Sequence, residues 1–161
     1  MTGTDTSDTP RPDRRTLSSA ARLYAVQALF QMEAAGQSAD RVTREFKSFR
    51  IEAEDRDGPT AAADEVLFAR ILDDVVVWQS RIDQATDRGL VARWPISRID
   101  PVLRALFRAA GAELVAAKAP PKVVISEYVR LCEAFFPDGK EPKFVNAVLD
   151  HVARELRADA F

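Results

Sequence analysis

From Leu17 to Leu156 the apolar residues of this chain recur every three or four positions, with only short Gly-, Pro- or charge-rich breaks between runs. That period is the signature of helices burying one face. No strand–turn–strand signal accompanies it. "KVVI" (122–125) is the one β-like run, and it is too short to stand alone. The spacing predicts an all-α fold of six or seven helices with mostly short connections.

A first helix follows Leu17, with Leu23, Val26, Leu29 and Phe30 on its stripe, Thr16 or Ser18 as cap and Gly36 as stop. A shorter helix over 38–49 carries Val42, Phe46 and Phe49. After the charged loop "EAEDRDGP", a long helix is expected over about 61–87, burying Val66, Ile71, Leu72, Val75, Val76 and Ile82. Asp100–Pro101 reads as a cap followed by Pro in the first helical position of a fourth helix. "APP" and "PDGKEP" bracket a fifth helix, and "EPKFVNAVLDHVAREL" (141–156) forms the last. Gly89 and Trp94–Pro95 mark a seam between an N-terminal and a C-terminal group of helices. Residues 1–15, Thr-, Pro- and Asp-rich at first and then basic, are expected to form a disordered tail before a single domain over 16–161.

A chain of 161 residues buries roughly 68–70% of its unfolded surface, enough for a core without staples. The single cysteine, Cys132, excludes an internal disulfide and agrees with a reducing cytosol. No apolar run approaches the roughly 20 residues of a membrane span, and the N-terminus lacks a signal-peptide core, so a cytoplasmic location is expected. Nothing marks an enzyme, a metal site or a cofactor. The lone histidine, His151, lies mid-helix between Asp150 and Val152, and Cys132 has no second cysteine near it. The six glycines form no phosphate-binding loop.

A net charge of −2 argues against a uniformly basic nucleic-acid binder, so any such affinity needs a local patch. Two places offer one. Along the N-terminus the sign changes from Asp5 and Asp8 to Arg11, Arg14, Arg15 and Arg22, with Asp13 the only acid among the arginines. This is either a solvated helix start or an electrostatic arm for phosphates. At the last helix, Lys143 and Phe144 stand at the mouth, just after the loop "FPDGK" that ends in Lys140. Phe144 reads either as a contact surface or as a core anchor paired with Val148.

Three stretches together resemble the NusB family of transcription antitermination factors: "RLYAVQALFQME" (22–33), "VLRALFRAAGAELV" (102–115) and "PPKVVISEYVRLCEAFFPDGKEPKFVNAVLDHVAREL" (120–156). The last is the most specific, with P-x-K-V-x-I-x-E followed some twenty residues later by K-F-V-N-A-V-L-D. The resemblance spans about residues 16–157. It implies two helical groups, no cofactor, and two partners: the small-subunit ribosomal protein that doubles as NusE, and boxA RNA of ribosomal-RNA leader transcripts.

Carried over residue by residue, it implies RNA contact by Lys143 and Phe144, with Lys140 beside them, and by Arg22 in the A-R-x-x-A-V-Q-A-L frame. Many members carry an arginine run just before that arginine. Here "SSAA" occupies 18–21 and the arginines lie upstream, so Arg14 and Arg15 are the candidates and weaker autonomous RNA binding is expected. Phe30, Leu103 and Arg104 are the candidates for partner docking. Similar domains occur fused to ribosomal-RNA cytosine methyltransferases; a chain ending at Phe161 favours the free-standing factor. The implied function is a non-enzymatic adaptor that binds boxA-like RNA jointly with the NusE-type protein and delivers both to elongating RNA polymerase with other Nus factors. The alternative is a helical module that binds protein only.

Overall fold

The computed structural model describes residues 13–48, 63–90 and 96–161. Six α-helices make up the described residues: α1 (Arg14–Ala35), α2 (Ala39–Phe46), α3 (Glu65–Gly89), α4 (Pro101–Ala116), α5 (Pro121–Phe135) and α6 (Glu141–Leu156). Short 3₁₀ turns lie at Ile96–Arg98 and Ala158–Ala160. The expected tail up to residue 12, the expected helical position of Phe49, the 52–59 loop, and Trp94–Pro95 lie outside the described residues.

Local chemistry sets the helix ends. The Asp13 carboxylate accepts the Thr16 N–H at 2.8 Å, so α1 begins at Arg14, a turn earlier than a Thr16 or Ser18 cap would allow. Arg14 and Arg15 therefore belong to a helix and not to a tail. Gly36, at φ 65°, ends α1 in the left-handed conformation that suits glycine. Asp64 caps α3, accepting from Leu67 N at 3.0 Å. Asp100 caps α4, accepting from Val102 N at 2.7 Å, with Pro101 first in the helix as its sequence dictates.

The centre of the molecule is α4, whose buried residues lie on every side of the helix. A helix apolar all round must be surrounded, and α1, α3, α5 and α6 all pack on it. By chain order α4 goes with α5 and α6, yet it shares one core with α1 and α3. Gly111 permits the closest approach: a Cβ there would stand 2.4 Å from Ile82 Cγ2 of α3. A mid-helix glycine costs about 1 kcal/mol in propensity, and the close α3–α4 packing offsets it.

The long helix departs from expectation on one face. Ile71, Leu72, Val75 and Ile82 are buried as the spacing requires, but Val66 and Val76 are exposed. Both lie away from the stripe that α4 covers. Cys132 is fully buried, and burial pushes its thiol up to about 11, as suits an inert core residue. Among the described residues no helix is long and apolar enough to cross a membrane.

Candidate nucleic-acid interface

α6 begins without a side-chain cap: Lys140 occupies the cap position, and Pro142 lies in the first turn. Lys140 and Lys143 are exposed beside it. A helix N-terminus carries partial positive charge, so two lysines there repel it in the free protein. Only Glu141 offsets them in that turn. An anion arriving at this end meets free backbone donors and two ammonium groups together.

Phe144 completes the group. Its ring stands edge-on to the core ring of Phe107, with centroids 6.1 Å apart and planes at 71°, and 38% of the residue remains exposed. The ring is therefore part packed and part open, and the ring it meets is Phe107 of α4. One edge is anchored on α4, which fixes the ring, while the rest is open to solvent.

Arg14 and Arg15 are exposed in the first turn of α1. Arg15 lies 3.7 Å from Glu127 of α5, the helix that packs on α6. Among the described residues no hydrogen bond or ring contact joins this end of α1 to Lys143 or Phe144.

Arg22 is corrected. It is only 7% exposed, and its Nε and Nη2 donate to the two oxygens of Glu113 on α4 at 2.8 and 3.0 Å. Glu127 lies 3.8 Å from its Nη1. Burial, the largest single effect, lowers the Arg22 pKa; the bond to Glu113 and the nearby charges of Glu113, Tyr128 and Glu127 together outweigh it, so the pKa is raised and the group stays charged. The fork onto Glu113 uses Nε and Nη2, and the guanidinium is buried, so it does not stand open to a phosphate as an exposed arginine would. Its place is structural, tying α1 to α4 and α5.

The docking candidates divide. Phe30, 40% exposed, lines an open groove of about 350 Å³ with Ala34, Ala35, Phe46, Val102 and Phe135. Leu103 and Arg104 are buried and do not line it. Arg104 donates to Glu33 Oε2 at 2.7 Å and to the carbonyls of Ile96 and Ile99 at 3.0 and 3.2 Å, strapping α1 to the turn before α4. On the same helix, the neighbouring Val102 is the residue that lines the groove. Phe135 of α5, whose apolar run reads as core in the sequence, also lines this groove.

The sequence profile of the NusB family matches residues 19–154. The chain belongs to the NusB family. A transcription antitermination protein NusB of Maricaulis maris is 42% identical over 159 residues, covering 98% of this chain and 99% of that one. One from Caulobacter vibrioides is 43% identical over 140 residues, covering 86% and 93%. Among solved structures, T. maritima NusB matches with a TM-score of 0.67 at 27% identity, covering 85% of this chain and 90% of that one. A chain in a crystal structure of the antitermination factors NusB and NusE in complex with double-stranded RNA matches at TM-score 0.67 and 25% identity, covering 85% and 96%.

Proposed function

We propose that this NusB-family chain is a non-enzymatic antitermination adaptor. It binds boxA-type RNA through the start of α6, jointly with a NusE-type ribosomal protein seated on the Phe30 groove, and presents both to elongating RNA polymerase and other Nus factors. The observation that carries the reading is the uncapped, lysine-flanked start of α6 with the half-exposed Phe144 ring fixed beside it. Single-stranded RNA asks for cations under phosphates and aromatic faces under unstacked bases. The family relatives and the NusB–NusE–RNA structure support the same reading. The diluted arginine run, with SSAA at 18–21 and the arginines upstream, favours binding that depends on the partner. It also leaves room for the protein-only reading, which predicts no RNA dependence at Lys143.

Lys143→Gln tests the site. Losing one single-strand phosphate contact should reduce the log–log salt slope of RNA binding by about 0.7. Helix content should stay unchanged, because Lys143 is exposed. An unaltered slope would remove Lys143 from the interface.

A further inference from the structure

We propose that Gly139 is a positioning residue for the start of α6. By offering no side chain, it lets the Glu141 carboxylate fold beneath the turn before the helix, which leaves Lys140 and Lys143 free for RNA phosphates. The inference rests on the reading of this helix start as an RNA site, and it names what keeps the one acid there from occupying it. Glu141 is that acid. Among the described residues it forms no ion pair with Lys140 or Lys143, close as they are in the chain. Its Oε2 is shut off from solvent and has no hydrogen-bond partner. The carboxylate is turned inward, for the Cys132 thiol of α5 is pushed up first by burial and then by the Glu141 charge.

The room for it comes from Gly139. After α5 the chain folds back through Asp138, at φ 62°, a left-handed conformation that aspartate tolerates. The Gly139 N–H then donates to the Phe136 carbonyl at 3.2 Å, closing the turn. A Cβ on Gly139 would overlap Glu141 Oε2 and stand 3.1 Å from its Cδ. Gly139 itself is not left-handed, so the position asks for space and not for glycine's conformational freedom. A buried carboxylate oxygen without a partner is costly. Once displaced, the Glu141 side chain gains by staying out, where it meets the two ammonium groups and the free backbone donors of the helix start. Those are the groups an RNA phosphate needs.

Binding of a boxA oligonucleotide at low ionic strength, with the NusE-type protein present, tests this on the full chain and its variants. Gly139→Ala should bind about three- to fivefold more weakly, the scale of one exposed charge pair. The loss should fade as salt rises. Glu141→Gln alone should change binding by less than about twofold, because the carboxylate it removes is already stowed. In the Gly139→Ala background the same Glu141→Gln should restore binding to within about twofold of wild type, since a neutral side chain does not compete for the lysines. A merely structural fault in the turn would not be repaired by that change. Gly139 is exposed, and circular dichroism with a thermal melt confirms that each variant folds. Gly139→Ala that binds like wild type overturns the proposal, as does a loss that Glu141→Gln leaves in place, when Lys143→Gln weakens binding in the same assay. Where Lys143→Gln has no effect either, the reading of the helix start as the RNA site has failed, and the proposal falls with it.

Discussion

Replacing Arg22 by alanine is expected to lower folding stability by about 3–5 kcal/mol, the range for removing one partner of a buried ion pair. Glu113 would be left buried, at 7% exposure, without the cation it is forked onto, while Glu127, at 8%, would keep the Ser19 hydroxyl and the exposed Arg15. A buried carboxylate that loses its cation demands protonation or local opening. Urea unfolding followed by circular dichroism measures the loss. Arg22→Lys keeps the charge but replaces a forked bond with a point contact, so it should fall between the two. In Arg22→Ala protein that is still folded, the salt slope of RNA binding should match the wild type. A slope reduced by about 0.7 with stability held within about 1 kcal/mol would return Arg22 to the phosphate-contact role.

Phe144→Ala should weaken RNA binding by about 1–3 kcal/mol, the usual worth of one base stacked on an aromatic side chain. Stability should fall by only about 1–2 kcal/mol, because part of the ring is already in solvent and the edge contact with Phe107 is what folding loses. Binding is measured on protein shown to be folded, which separates the two losses. A stability loss of about 3–5 kcal/mol with unchanged binding would make Phe144 a core residue and nothing more.

The helices were legible because burial imposes a period, and every expected helix is present among the described residues. Which residues of a stripe face a neighbour was less legible. Val66, Val76, Leu103 and Phe30 show why: a helical wheel gives a face, but the neighbours decide how wide it is. Val66 and Val76 fall outside the width that α4 covers, whereas α4 itself is buried all round and takes in Leu103 and Arg104. Arg22 was misread for a related reason. Its partner Glu113 lies 91 positions away, and no local pattern announces a long-range ion pair. The start of α6 was easier to read, since a missing cap, two lysines and a phenylalanine are all local facts.

The central claim is joint recognition of RNA, and one measurement addresses it most directly: filter binding of a boxA oligonucleotide to the wild-type chain, with and without the NusE-type ribosomal protein. The partner should tighten RNA binding at least about tenfold, a coupling free energy of about 1.4 kcal/mol that linkage makes reciprocal. Lys143→Gln should weaken the joint complex while leaving protein–protein association intact. RNA affinity indifferent to the partner, or a joint complex unaffected by Lys143→Gln and Phe144→Ala together, would contradict the account.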